Sequence, residues 1–449
     1  MPTRPPFASS LILIALLLYV RDTAHTASAA PPGAQAPHAV DEAKVSAAGI
    51  RKLTSKRLDL YTDLPSSPEI DELPLVFDQA FPLWCKYFGV DSSKHDDFRM
   101  RASLIDDPAK FETSGLVPVD LPKFLNGYTR GRELWFNNQT SRYYRRHLLL
   151  HEGVHGFMFA LVGDNGAPWY MEGIAELLGT HHWENGRLTL PYFPKQPSDV
   201  PKLGRIETVQ TDFAKRKAKQ VETVMAIDRQ EFLHVEAYAW SWALCAFLDN
   251  HPRYAERFHK LLAEVSQPGD FNTKLKKIYS DDWGQLQEDW QAFIADLDHG
   301  YDFERTQIDF TPGKPLSAKS AALAGTPTSI AVKADRGWQD TGILLELGKK
   351  YELTATGKFQ LAADPKPWIS EPNGISIHYN HGKPLGLLLA AVRPIGSSSP
   401  ISAFVKPIVV GTDTEITPTD SGTLYLKIND SAGALNDNSG QAEVTVREK

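Results

Sequence analysis

His151-Glu152-Gly153-Val154-His155 is the stretch of sequence that decides the fold around it. Its two histidines are four residues apart, so a helix would place both imidazoles on one face, where they can bind one zinc ion. Glu152 lies beside them and can act as general base toward a water molecule. Ser141 precedes an Arg-rich and then apolar run that reaches Leu161, which predicts a buried helix with Ser141 as N-cap. The alternative is a pair of core histidines on an apolar helix.

A second helix is predicted from Pro168 to Leu178, because proline favours the first helical turn. This helix would carry Glu172 and Glu176 on one face. H-E-x-x-H followed by Glu172-Gly173-Ile174-Ala175 resembles the gluzincin peptidases, whose signature continues with E-G-x-A on the next helix. The resemblance implies an α+β zincin-like metallopeptidase domain with a helical second half.

The resemblance also assigns roles to single residues. It implies that His151, His155 and Glu172 bind a catalytic zinc ion. Glu152 would then be the general base, and Glu176 a carboxylate that orients a histidine. Glu176, His181 and His182 remain candidates for the third ligand, and Glu176 is equally consistent with a solvated or capping carboxylate.

Tyr238 is the candidate for stabilising the oxyanion of the tetrahedral intermediate. It lies in a helical run, Val235 to Leu248, that resembles the gluzincin segment in which a tyrosine precedes an apolar stretch. Two further interpretations stay open. Tyr238 is also consistent with an aromatic residue of the core, and His234, one turn earlier, could serve in its place.

The reaction implied by the resemblance is hydrolysis of peptide bonds by a metal-activated water, with Glu152 passing the proton to the leaving amine. Substrates of this fold class bind along an edge strand beside the active helix, and residues 132–136 have β-forming side chains in that position. The G-x-M-E-N-type motif with which aminopeptidases of the group hold a free α-amine is missing. The predicted enzyme is therefore a zinc metallopeptidase but not an aminopeptidase.

The first residues predict export. Arg4 precedes ten apolar residues, Leu11 to Val20, and Ala27-Ser28-Ala29 has the small-residue pattern of a cleavage site. Residues 1–29 are therefore predicted to be a signal peptide. Retention as a membrane anchor is less favoured, because ten residues are too few to span a bilayer. The mature protein would be secreted or periplasmic, without a stable membrane span, and residues 30–45 would form a disordered linker.

Composition is that of a globular protein, with 42% hydrophobic and 23% charged residues. A formal net charge of −7 with only scattered basic pairs argues against nucleic acid as a partner, and the basic run at residues 215–219 is interpreted as a solvated helix face. Cys85 and Cys245 both lie in apolar surroundings, which favours buried free thiols over a disulfide.

The remaining chain predicts two domains. Residues 46–304 combine strand and helix patterns, as a gluzincin-like metallopeptidase domain would. Residues 305–327 are rich in proline and glycine and are predicted to be a linker. Residues 328–449 contain alternating segments such as Tyr351 to Gly357, Leu424 to Ile428 and Ala442 to Val446, which predict an all-β sandwich of about eight strands.

One loop of this second domain is rich in oxygen ligands. The segment from Asn429 to Gly440 resembles the calcium-dependent galactose-binding lectins of bacteria, in which an N-D loop ending N-N-S-G holds calcium and sugar hydroxyls. The resemblance implies that Asp430, Asp437 and Asn438 bind calcium through their side chains and Ala434 through its carbonyl. Asp437 replaces the asparagine of the family, and the sugar-contacting histidine has only two nearby candidates, His378 and His381. A hydrogen-bonded turn without metal is the alternative.

Two functions follow. The first is an exported zinc-dependent peptidase whose C-terminal domain binds glycans or a surface, with peptide or protein as substrate and carbohydrate as a further partner. The alternative is a non-catalytic carbohydrate-binding surface protein whose peptidase-like part is a scaffold. Retention of His151, Glu152, His155 and Glu172 favours the enzyme, since a scaffold has no physical need for all four.

Overall fold

The structure is a computed structural model. It describes five stretches of the chain, residues 36–163, 166–262, 268–316, 328–396 and 400–449. The signal peptide predicted over residues 1–29 lies outside them. The disorder predicted up to residue 45 is not found at residues 38–45: Asp41 caps helix α1 (Glu42–Ala47), and the backbone N–H of His38 donates to Glu133 at 3.1 Å.

By their internal contacts the residues form two compact units. Among the described residues, the first unit comprises those that fall within Met1–Asp164, Ile174–Leu190 and Ile227–Tyr238. The second comprises Asn165–Gly173, Pro191–Ala226 and Ala239–Lys449. The division passes through two continuous helices, α6 (Pro168–Gly179) after Gly173 and α9 (Val235–Asn250) after Tyr238. The second unit therefore contains most of the helical half together with the β-strands that the sequence assigned to a separate domain.

The first unit contains a five-stranded sheet and the helices that cover it. Its strands are β1 (Arg51–Thr54), β2 (Leu58–Thr62), β3 (Met100–Ile105), β4 (Gly127–Arg130) and β5 (Glu133–Asn137). Its sheet has the order β1-β2-β3-β5-β4, parallel in the middle and antiparallel at both edges. The other elements of this part are α2 (Pro68–Asp71), α3 (Leu73–Phe88), α4 (Pro108–Ser114), α5 (Arg142–Phe157), a π-helical turn (Met158–Val162), β6 (His182–Glu184) and β7 (Arg187–Thr189).

The edge strand differs from the prediction. Residues 132–136 were expected at the edge, but β5 lies between β3 and β4, and β4 is the edge strand. A turn at Gly131, whose φ is +61°, joins the two strands into a hairpin. β4 has a weak strand signature because Gly127, Thr129 and Arg130 interrupt any apolar alternation.

Helix α5 begins as predicted, since the Ser141 side chain accepts a hydrogen bond from the backbone N–H of Tyr144 at 3.2 Å. The helix is buried along its length because it packs on α3. A Cβ on Gly153 would lie 2.8 Å from atoms of both Phe77 and Trp84, so the absence of a side chain there permits close contact between the helices. The central glycine of the motif is thus explained by packing.

The second unit has a helical part and a two-sheet β part. The helices after α6 are α7 (Arg205–Ala214), α8 (Val221–Met225), α9 (Val235–Asn250), α10 (Ala255–Leu261), α11 (Phe271–Ile278) and α12 (Trp283–Asp296). Helix α9 has almost no polar face, which suits its burial on all sides. Within it Cys245 is a buried free thiol, as is Cys85 of α3, and burial raises the pKa of both thiols.

The β part contains twelve strands among the described residues. They are β8 (Lys314–Pro315), β9 (Thr328–Lys333), β10 (Gln339–Leu345), β11 (Tyr351–Thr356), β12 (Phe359–Ala362), β13 (Trp368–Ser370), β14 (Asn373–Asn380), β15 (Lys383–Pro394), β16 (Ile408–Val409), β17 (Asp413–Ile416), β18 (Gly422–Ile428) and β19 (Ser439–Glu448). One sheet runs β14-β15-β18-β10-β8 with β16 on β15, and the other runs β13-β12-β19-β11-β17 with β9 on β19. Apolar side chains of both sheets share one core, as in a sandwich. The three strands predicted around Leu353, Leu426 and Val444 are confirmed.

A second apolar cluster lies on the outer face of the first of these sheets. It joins Ala292 of α12 and Tyr425 of β18 to Ile308 and Phe310, which the sequence placed in a linker. The Arg393 guanidinium of β15 also binds the Glu288 carboxylate of α12 at 2.8 Å. Residues 305–310 are therefore part of the packed structure, while residues 317–327 of the predicted linker lie outside the described residues. None of the helices in the described part has the length and apolar composition that a membrane span needs.

Candidate metal centre

Helix α5 lines up three histidines. His147, His151 and His155 follow each other at four-residue intervals, so they lie on one helix face, and all three are buried. The Nε2 atoms of His151 and His155 are 3.3 Å apart. This separation fits two ligands of one tetrahedral zinc ion, since bonds of about 2.0–2.1 Å place neighbouring ligand atoms roughly 3.3–3.4 Å apart.

Helix α6 supplies carboxylates to the same place. Glu172 and Glu176 are one turn apart on α6. Helix α6 packs closely on α9 at Gly173. A Cβ on Gly173 would lie 2.6 Å from the Ser241 carbonyl oxygen and from Cys245 Sγ, so the contact leaves no room for a side chain there. The glycine of the E-G-x-A segment is therefore required by the contact between two helices.

The donor atoms form two overlapping groups. His151, His155 and Glu172 each offer one ligand atom, and these atoms lie within 4.8 Å of one another. The same holds for His147, His151 and Glu176. Within the described ranges no other set of three or more His, Cys, Asp or Glu side chains meets this condition. Two imidazole nitrogens and a carboxylate oxygen are a donor set that suits catalytic zinc, so the first group fits that ion.

Glu176 contacts the other side of His151. Its Oε1 lies 3.3 Å from His151 Nδ1, while its Oε2 lies 3.4 Å from His147 Nε2. Glu176 is only 2% exposed. Because it approaches Nδ1, whereas His155 lies beside Nε2, Glu176 is placed to orient His151 and not to complete the first group. His147 was not singled out from the sequence, although its four-residue spacing from His151 was visible there.

His181 and His182, which the sequence left as candidates for the third ligand, belong to neither group. His181 is buried, and its Nε2 accepts a hydrogen bond from Arg146 Nε at 3.2 Å while its Nδ1 donates to the Gly179 carbonyl at 2.8 Å. Burial lowers the pKa of His181 to about 3. His182 is partly exposed on β6, with Nε2 3.6 Å from Glu184. Glu172 takes the position of third donor in place of both histidines.

Glu152 is a residue of α5, and its side chain contacts the edge strand β4. Thr129 Oγ1 is 2.7 Å from Glu152 Oε2 and 2.9 Å from the Glu152 carbonyl oxygen. A Cβ on Gly127 would overlap Glu152 Oε1. Neither β4 residue was predicted to belong to the site, because their contact with Glu152 depends on how the strand passes the helix.

Tyr238 lies in the first turn of α9, near the histidines. Its ring centroid is 6.2 Å from that of His151 and 5.1 Å from that of Phe232. Tyr238 is half-buried, so its ring is not fully enclosed in the core. His234, which could have served in its place, is exposed.

The predicted calcium loop brings two of its three side chains into direct contact. Asn438 Nδ2 donates to Asp430 Oδ2 at 2.8 Å and to the Ala334 carbonyl at 3.1 Å. Asn438 is 7% exposed, and its buried Oδ1 accepts no hydrogen bond from any described residue. Burial raises the pKa of Asp430 to about 6. Asp437 Oδ2 instead accepts a hydrogen bond from the backbone N–H of Ala363 at 3.0 Å.

The two histidines that the sequence offered for sugar contact make different contacts. His378 stacks on Trp368, with ring centroids 4.4 Å apart. His381 has its Nε2 3.5 Å from Asp296 Oδ1, and burial lowers its pKa. His378 of β14 and Trp368 of β13 therefore form an aromatic pair, while His381 contacts helix α12.

Comparisons with known proteins give likenesses to solved structures. No protein-family model matches the chain, and no curated protein matches it. Among solved structures, the chain is similar to one described as "EclA N-terminal domain; PllA-like lectin", at 23% sequence identity and a TM-score of 0.21. The match covers 27% of this chain and 95% of that one.

Proposed function

We propose that the chain is an exported zinc-dependent peptidase in which Glu152 is the general base. The observation that supports this most is the convergence of His151, His155 and Glu172 within 4.8 Å, with Glu152 beside them on α5. A peptide or protein would be the substrate. The predicted signal peptide supports secretion or a periplasmic location.

Each residue has a part in the proposed reaction. Zinc, when bound by His151, His155 and Glu172, supplies Lewis acidity that polarises the scissile carbonyl and acidifies water. Glu152 takes the proton of the attacking water and gives it to the leaving amine. The Tyr238 hydroxyl would donate to the oxyanion, since the Tyr238 ring lies beside that of His151.

The substrate would bind along β4. This strand is the edge of its sheet and pairs with β5 on one side. An extended peptide can add to such an edge through backbone hydrogen bonds. Because β4 also contacts Glu152, a peptide bound there would pass close to the base.

The test is the Glu152→Gln variant. Glutamine has the same shape but cannot accept the proton from water, so proteolysis of a denatured protein should fall by about 100-fold or more while zinc content is unchanged. Glu256→Gln, on an exposed residue of α10, is the control and should cleave at the wild-type rate. Equal cleavage by wild type and Glu152→Gln would refute the mechanism. Stoichiometric zinc without any cleavage would favour the non-catalytic scaffold.

We also propose calcium-dependent carbohydrate binding by the β part. The observation in its favour is the buried Asn438 Oδ1, which accepts no hydrogen bond from the described residues. The Asp430 carboxylate lies beside the same side chain and accepts a hydrogen bond from Asn438 Nδ2. A buried carbonyl oxygen is costly without a partner, and calcium prefers carboxylate and amide oxygens of this kind. Asp430, Asp437 and Asn438 are the side chains that would hold the ion, with the Ala434 carbonyl.

A further inference from the structure

We propose that Gly127 and Thr129 of strand β4 position the Glu152 carboxylate for the proposed reaction, Thr129 through a hydrogen bond and Gly127 by leaving room for the carboxylate. This inference rests on the peptidase function proposed above. It adds two positioning residues that lie outside the metal-binding motif and act through Glu152.

Thr129 holds one carboxylate oxygen. Its Oγ1 is within hydrogen-bond distance of both Glu152 Oε2, at 2.7 Å, and the Glu152 carbonyl oxygen, at 2.9 Å. A hydroxyl has one proton to donate, and a carboxylate is the stronger acceptor, so the bond to Oε2 dominates. The hydrogen bond restricts the rotation of the carboxylate.

Gly127 leaves room for the other oxygen. Positions 127 and 129 are two apart in a strand, so they face the same side of β4. A Cβ on Gly127 would lie 2.8 Å from Glu152 Cγ and 2.9 Å from Cδ, and would overlap Oε1. The backbone of Gly127 is not in the left-handed region, so glycine is needed here for space and not for its conformational freedom.

The two contacts together fix the orientation of the carboxylate. Thr129 binds Oε2, and the missing side chain of Gly127 leaves the space that Oε1 occupies. The strand that would pair with the substrate is thereby also the strand that holds the base. Binding of a peptide to β4 and alignment of Glu152 with the attacking water are then coupled through two residues of one element.

The first experiment measures steady-state cleavage of a peptide substrate by the full chain. Thr129→Val, which has nearly the same shape without the hydroxyl, should lower kcat by about 10- to 100-fold with little change in KM, because a hydrogen bond to a charged group is lost at the reacting centre. Thr129→Ser restores the hydroxyl and should recover most of kcat. Thr113→Val removes an exposed hydroxyl that bonds to the Ala109 carbonyl on α4 and is the control. An unchanged kcat in Thr129→Val would overturn the proposal.

Two matched glycine-to-alanine variants test the role of Gly127. Gly127→Ala should lower kcat because the new methyl group displaces Oε1. Gly284→Ala adds a methyl group where no atom lies within 4 Å, so its kcat should equal that of the wild type. Both variants should keep one zinc per chain. Full activity in Gly127→Ala would show that the space beside Oε1 is not needed.

A second measurement separates this proposal from the peptidase function. Thr129→Val should lower the melting temperature of the wild type more than that of Glu152→Ala, because the latter lacks the carboxylate partner and offers the hydroxyl only the backbone carbonyl of residue 152. Equal shifts in both backgrounds would overturn the positioning contact, whatever the activity. If the wild type cleaves no peptide but the shifts differ, the contact is supported and the peptidase function fails.

Discussion

The two candidate metal sites of this protein are built in different ways. The candidate zinc ligands lie on helices α5 and α6, and the four-residue repeat of α5 alone places His151 and His155 side by side. The calcium donors lie on the loop between β18 and β19, where no repeat sets their direction. There Asp430 and Asn438 contact each other, while Asp437 bonds to Ala363. A helical motif therefore specifies donor geometry locally, whereas a loop motif depends on distant residues that hold its side chains.

The largest effect is expected at the helical site. His155→Ala should remove zinc and proteolysis together, because two remaining ligands bind zinc too weakly to retain it through purification. Elemental analysis of the purified protein checks this. His182→Ala, which alters a histidine outside both donor groups, should keep stoichiometric zinc. Stoichiometric zinc in His155→Ala would show that His155 is not needed for zinc binding, and the comparison between the two sites would fail.

A smaller effect is expected at Glu176, whose carboxylate lies beside His151 Nδ1. Glu176→Gln should raise the dissociation constant for zinc by about 10- to 100-fold, because the carboxylate that faces His151 Nδ1 is lost while all three ligands remain. Competition with a chelator measures the change. Glu184→Gln, on a mostly exposed side chain, is the control. Loss of zinc as complete as in His155→Ala would instead make Glu176 a ligand.

The loop site should respond to calcium by stabilisation. Millimolar calcium should raise the melting temperature of the full chain by an amount that follows the ratio of ion concentration to dissociation constant. Asp430→Asn should abolish this shift, whereas Asp420→Ala, on an exposed residue, should retain it. If calcium leaves the melting temperature of the wild type unchanged, the loop is a hydrogen-bonded turn without metal.

The smallest effect concerns His181, which lies near the zinc donors without belonging to them. Its pKa is about 3 in the folded chain and near 6.5 when unfolded, so the unfolded state binds more protons between these values. Stability should therefore fall as the pH drops from about 6.5 towards 3. His181→Gln should weaken this fall in melting temperature and leave the zinc content unchanged. An identical pH dependence in both proteins would contradict the burial of a neutral His181.

Local patterns predicted the elements well where the pattern was periodic. Helix α5 with its Ser141 cap, and strands β11, β18 and β19, follow from spacing that each segment carries by itself. The prediction was weaker where residues make contacts that their own segment does not signal. Residues 38–45 and 305–310, expected as linkers, are held by His38, Ile308 and Phe310, each of which contacts residues far away in the chain.

The sequence by itself determined that the imidazoles of His151 and His155 and the carboxylate of Glu152 share one helix, and helical geometry makes residues four apart neighbours. It also determined, through E-G-x-A, which carboxylates could join them. Only the tertiary structure decided that Glu172 joins His151 and His155 while Glu176 faces His147, and that β4 is the edge strand that holds Glu152. The reason is physical: spacing within an element fixes relative positions along it, but which elements touch depends on packing contacts such as Gly173 on Ser241 that no single segment contains.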